Sequence, residues 1–521
     1  MRRPIRGFRP SRRAVLAGGA ASGLAVGLAP RFSVAQDGRV LRVRSYSDIQ
    51  VLDPAHMLSA PEGDIAMAIF APLASHVAGD EWDWSPVAAT RLEPVSDTEV
   101  EFELMEGLAF SDGYGPVTAE DVKFSIERVA DPEEGSPYQG DWAVLDAVEV
   151  TGERTGVIRL TEPFAPLFSS TIPTPRSCIL SRRAVEDAGG RIGTEPKGMS
   201  GQYLLTEWVP KQRTVLTRNP DWPGEPGGFE EIHILPIEDP STAELGFEAG
   251  DLDYTWTAVS SLPRLAESPP ADATVLEKPS LAYVWLGMNQ EAPPFDDPLV
   301  RRAVQHAIDR QAVVDAAYFG AAETSTGIVA PGLPGHREDV LYGHDPDEAR
   351  RLLEEAGATD LFVTLDILNQ VERLTAAQVI QANLADVGIQ VEIKQNDSGT
   401  FWTLGSEEGE YWDDLQMVLG RFSMQPDPSW ATAWFTPEQI GVWNWERFDS
   451  PEFAELQAQG LVETDPVRRD EIYRRMQDLM EESGSYVFLT HEVTGVLHSG
   501  DVVPALKPNG EPILAEFRPA S

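Results

Sequence analysis

Residues able to do chemistry are plentiful in this chain, but few stand at the spacings that chemistry requires. The eight histidines (His56, His76, His233, His306, His336, His344, His491 and His498) are dispersed, and none falls in a His-Glu-x-x-His zinc motif. Cys178 is the sole cysteine, so neither a thiolate metal site nor an internal disulfide can form. No phosphate-cradling glycine loop is present. Gly198-Met199-Ser200-Gly201-Gln202 lacks the second glycine position of a nucleophile elbow. Adjacent acids such as Glu120/Asp121 and Asp413/Asp414 could pair as general acid and base. In a chain with 84 Asp and Glu, however, such neighbours arise from composition alone. No catalytic residues, no metal and no cofactor are expected. The residues that stand out are apolar: Trp402, Trp412, Trp430, Trp434, Trp443 and Trp445, nearly half of the thirteen tryptophans. Flat rings so concentrated suit either a water-excluding cleft for a small molecule or a tryptophan-rich core.

The elements that must position these residues alternate between strands and helices. Arg39–Ser45 and Glu99–Leu104 alternate apolar and charged residues, as strands do. Thr118-Ala119-Glu120-Asp121 opens a helix whose Val122, Ile126 and Val129 share one face, with Thr118 and Asp121 placed as a capping box. Asp297-Pro298 opens another, with Val300, Val304, Ala307 and Ile308 as its buried stripe. Further helices are expected at 347–356, 376–387, 451–462 and 465–480, with strands at 362–367, 390–394, 416–418 and 486–489. This is α/β layering.

The first 35 residues read as an address and not as fold. Seven arginines and no acid surround an apolar run from Ala14 to Leu28, with Arg12-Arg13 immediately before it. That run is shorter than the about 20 residues of a membrane span. Ser33-Val34-Ala35 offers small residues for cleavage after Ala35, so a twin-arginine signal peptide and a periplasmic mature protein are expected. No direct membrane insertion is expected. The net charge of −43 becomes about −50 once those arginines are gone, which excludes nucleic acid and anionic membrane as partners. About 486 residues remain, enough for two or three lobes.

Leu108–Arg128 closely resembles the signature of the family 5 extracellular solute-binding proteins, the dipeptide, oligopeptide and nickel receptors of ABC importers. Leu52-Asp53-Pro54, Thr217–Trp222, Phe247–Asp253, Asn289–Arg310 and Asp347–Gly357 resemble further blocks of that family in the same order. The resemblance implies a type II periplasmic binding protein fold, with two lobes joined by two hinge strands and an extra subdomain. Lobe I would comprise 36–60, 176–284 and 487–521, the inserted subdomain 61–175, and lobe II 285–486. Asp53, Asp121 and Asp309 would cap or pair within the scaffold.

The resemblance also implies ligand-contacting positions: Met57, Leu58 and Tyr138 from lobe I, and Trp285 and Tyr486 at the hinges. In lobe II it implies Trp402, Arg421, Phe422, Met424, Asn444 and Trp445. One position departs from the pattern. Peptide-binding members carry an aspartate three residues before an acidic-Pro pair, where it takes the peptide's ammonium group. Here the pair is Asp427-Pro428 and the matching residue is Met424. Arg421 either faces the cleft, where its fork would suit an anion, or pairs with one of the many acids. The expectation is a monomeric receptor that closes over a small peptide-like, opine-like or other amino-acid-conjugated solute and hands it to a permease with its ATPase. A ligand receptor for a sensor system and a secreted hydrolase are the alternatives.

Overall fold

A computed structural model describes residues 40–520. The twin-arginine segment and the expected cleavage after Ala35 lie outside the described residues. Helices and strands alternate through the chain, and ten strands join into one mixed sheet. Across it the order is 203–209, 213–218, 231–236, 40–45, 254–257, 486–499, 273–288, 417–423, 361–368 and 389–396. The first five strands belong to one lobe and the last three to the other. Between them run the two longest, Ala273–Met288 and Tyr486–Ser499, paired antiparallel as a ribbon common to both halves.

The cores follow this division. One apolar cluster gathers Leu41, Val43, Ile65, Ile69, Tyr203, Leu216 and Ile232 in the first lobe. A second fills a separate four-stranded unit with Leu92, Val100, Phe102, Val122, Ile126 and Ile158. Two further clusters build the other lobe, one under Val300, Val304 and Ile380, the other around Trp285, Phe435 and Tyr486. Helix Ala60–Ile69 packs into the first cluster and not into the core of the four-stranded unit, which draws on Ala55 and then on residues from Ala71 onward. Ile65, Ala66 and Ile69 of this helix present an apolar stripe to the first lobe's sheet.

Trp285 and Tyr486, expected at the hinges, both lie inside the second lobe's core. Ribbon pairing slips between Pro279↔Val493 and Tyr283↔His491, so that Ser280, Leu281 and Ala282 stand opposite Glu492 alone. Such a bulge breaks the pleat and re-aims the side chains it carries. Leu281 still accepts from the Met424 N–H at 3.0 Å, tying the bulge to strand Met417–Ser423.

The acidic scaffold residues have structural partners. Asp121 accepts from the Thr118 N–H at 2.9 Å and from its hydroxyl at 2.8 Å. Asp309 accepts from the Ala312 N–H at 3.0 Å, capping Arg310–Ala317. Cys178 is buried and free. Among the described residues no helix is long and apolar enough to cross a membrane.

Candidate ligand-binding site

The loop after Leu52-Asp53-Pro54 is held by two buried acids. Asp53 takes both terminal nitrogens of Arg128, at 2.8 and 2.9 Å, and the N–H groups of Ala55 and Ile192. Burial works to raise the Asp53 carboxyl, but Arg128 and these N–H groups outweigh it and hold it below its ordinary value. Glu62 accepts from four backbone N–H groups, those of Gln50, Val51, Leu58 and Ser59, at 2.7 to 3.2 Å. Tyr138 donates its hydroxyl to the Met57 carbonyl at 2.6 Å, and the Arg176 guanidinium lies 3.5 Å over the Tyr138 ring. These contacts leave the segment from Met57 to Ala60 in one position, as the wall of a cavity.

That cavity encloses about 270 Å³. Helix Ala60–Ile69 contributes Asp64 and Met67, and the C-terminal segment contributes Lys507 and Glu511. Leu281 from the bulge, with Met424 and Gln425, forms the wall from the second lobe. His76 and Trp82 close another side, their rings edge to face at 5.2 Å. Lys507 donates to Glu511 at 3.0 Å. Burial, with Lys507 adding to it, lowers His76 to about 3, and the ring is neutral. Ser59 Oγ, His76 Nδ1, Arg176 Nε, Gln202 Oε1 and Trp222 Nε1 are all buried, all belong to residues lining this cavity, and have no hydrogen-bond partner. Five of the nineteen such atoms among the described residues gather around this one space, where a bound molecule could satisfy them.

A second depression of about 480 Å³ lies on the other side of the bulge, lined by Trp402, Arg373, Arg421 and Glu492 among others. Glu492 accepts from Arg421 Nε at 3.0 Å and Nη2 at 2.9 Å, and it also pairs with Arg373. Burial acts to raise Glu492, and the two arginines prevail and lower it. Arg421 is therefore paired, with Nη1 reaching Ser423 Oγ at 3.2 Å.

The sequence-derived positions separate accordingly. Met57, Leu58, Tyr138 and Met424 come together around the first cavity. Trp402 and Arg421 line the second depression. Trp285, Trp445 and Tyr486 are buried in core packing, and half-buried Phe422 packs on Trp285 and stacks on Trp402. Asn444 has no exposed surface. Its amide donates to the Phe435, Thr436 and Phe448 carbonyls and its carbonyl accepts from the Phe448 N–H, a loop staple that leaves nothing for a ligand. Trp434 and Trp443 join the same mesh of rings, which is more core than cleft. Spacing gave no hint of Asp64, His76, Gln202, Trp222 or Glu511, which come from segments far apart. Lys507 had a faint signal, being one of only six lysines in so acidic a chain.

One buried contact spans the junction. Ser169 Oγ donates to Asp427 Oδ2 at 2.7 Å, while Arg469 and Ser429 hold the other oxygen. If closure of the lobes forms this bond, Ser169→Ala removes about 1 kcal/mol from the closed state. Solute affinity is then expected to fall about fivefold by calorimetry. An unchanged affinity would show that the contact does not discriminate open from closed.

Two lobes sharing a strand ribbon, with a lined cavity at their junction, define a two-lobed solute-binding protein. The chain belongs to the family 5 bacterial extracellular solute-binding proteins: the model "Bacterial extracellular solute-binding proteins, family 5 Middle" matches residues 83–441. The glutathione-binding protein GsiB of Shigella dysenteriae is 26% identical over 416 residues, covering 78% of this chain and 80% of that one. Among solved structures, the periplasmic binding protein DppA of Helicobacter pylori in complex with peptide STSA aligns with a TM-score of 0.73. It is 22% identical and covers 92% of this chain and 98% of its own. MoaA from A. tumefaciens, in complex with mannopinic acid, aligns at 0.74 with 22% identity, covering 93% and 100%. These structures share the fold.

Proposed function

We propose that this chain is the periplasmic substrate-binding component of an ABC transporter, a monomer exported by the twin-arginine route and without catalytic activity. It captures one small amino-acid conjugate, peptide-like or opine-like, by closing its lobes, and delivers it to a permease driven by its ATPase. The observation that carries this reading is the cavity between the lobes with its five orphaned polar atoms. At about 270 Å³ it lies just below the usual range for small organic ligands, and polar and apolar groups line it in nearly equal measure. Family membership supports the transport role. The solutes named for the relatives above (glutathione, a peptide, mannopinic acid) all contain an amino-acid unit, which supports the ligand class. Closure follows from contacts that both lobes make only when the cavity is filled.

The test is native mass spectrometry of gently purified mature protein, followed by release and identification of whatever is bound. One small molecule per chain is the expected result. Failure to retain any solute, together with no compaction by small-angle scattering across a broad panel of amino-acid conjugates, would overturn the reading. Turnover of a panel member would replace it with an enzymatic one.

A further inference from the structure

The charges around the cavity do not cancel. Lys507 is taken up by Glu511, Arg176 lies 3.2 Å from Asp141, and Glu516 has Arg518 within electrostatic reach. What remains beside Glu516 is Asp64, which has Lys507 within electrostatic reach but no ion pair. It lines the cavity from helix Ala60–Ile69 and, among the described residues, has no hydrogen-bond or ion-pair partner. Glu62, two residues earlier on the same helix, is saturated by four N–H groups. The two carboxylates thus differ in kind: one builds the wall, the other is left facing the space.

The surroundings favour a particular ligand group. Gln202 Oε1, like Asp64, is an acceptor without a donor. Trp82 offers an aromatic surface to a cation, and Met57 and Met67 add polarisable sulfur. On the facing wall Met424 brings no charge. We infer that Asp64 is the specificity-determining residue of this cavity, anchoring a protonated amine of the solute from the first lobe's side. This rests on the solute-binding reading above and adds to it the ligand's charge and the residue that reads it.

An anchor of this kind works only while ionised. Burial pushes the Asp64 carboxyl up to about 7, with Lys507 opposing and Glu511 adding to the rise. The other groups around it are Glu62 on its own helix, Tyr46 and Tyr254 from the first lobe, and neutral His76 and paired Arg176 on the cavity wall. Amine binding should therefore weaken as pH falls through 7, by about tenfold between pH 8 and pH 6.

The experiment titrates the mature protein calorimetrically with di- and tripeptides bearing free or N-acetylated amino termini, with Asp64→Asn and Asp64→Glu beside the wild type. The expected result is at least a tenfold preference for the free amine in the wild type. Asp64→Asn abolishes it together with its pH dependence, and Asp64→Glu retains it. Thermal melts establish that both variants are folded. Equal binding of acetylated peptides, a preference that survives in Asp64→Asn, or no binder in the free-amine set would overturn the anchor. Retention of a neutral or anionic solute in the mass-spectrometric test would then leave the receptor reading standing without it. Retention of nothing would remove both.

Discussion

Replacing Asp53 by alanine is expected to cost about 3–5 kcal/mol of stability, the usual penalty for stranding a buried charge. Arg128 is only 6% exposed and has Asp53 as its bidentate partner; Glu134 and the Gly190 carbonyl would remain to it. The same substitution leaves the buried N–H groups of Ala55 and Ile192 without acceptors. Urea denaturation should show the loss as a lower midpoint with an unchanged slope. Because Asp53 also anchors the loop that reaches the cavity through Met57 and Leu58, solute affinity should fall with it. Asp53→Asn keeps the shape and removes the charge, and an intermediate loss is expected. A cost below 1 kcal/mol for the alanine variant would show that Glu134 can take over the guanidinium.

The second large effect has the opposite sign. Glu446 is buried beside Trp285, whose Nε1 donates to its Oε1 at 2.7 Å, while its Oε2 has no partner. Burial lifts this carboxyl from 4.5 to about 7, against the pull of the Trp285 N–H. Between those values the native state holds a proton that the unfolded chain has released, so stability falls as pH rises and levels off above about 7. Glu446→Gln keeps an acceptor for Trp285 and removes the titration. The variant should be more stable than wild type at pH 8, and its advantage should grow by about 2–3 kcal/mol from pH 5 to pH 8. Parallel denaturation curves at the two pH values decide the matter. A constant difference would mean that Glu446 is ionised throughout and hydrated.

Local signals in the sequence were read well wherever the local and the final structure coincide. The capping box at Thr118 and Asp121, the Asp297-Pro298 helix start and the alternation of Glu99–Leu104 all survive folding unchanged. The long ribbon did not announce itself. Expected to end at Leu489, its second strand runs to Ser499, because residues buried on both faces between two lobes have no reason to alternate. Its first strand contains Pro279, which reads as a break and instead begins the bulge. The tryptophan cluster was visible as composition, but whether rings face each other or a ligand depends on packing that no spacing encodes. The cavity was the least legible part. Asp64 and Lys507 are more than 400 positions apart, and what distinguishes Asp64 from Glu62 is a partner that only the fold supplies or withholds.

The shared ribbon has a mechanical consequence. The outermost strand of the first lobe, Tyr203–Val209, lies five strands from Tyr486–Ser499, roughly 24 Å at ordinary strand spacing. Leu281 and Met424, by contrast, sit at the pivot itself. A molecule seated there works on the short arm of a lever, and a twist that shifts cavity walls by under an ångström swings the far rim through several. The gain is geometric, set by strand count.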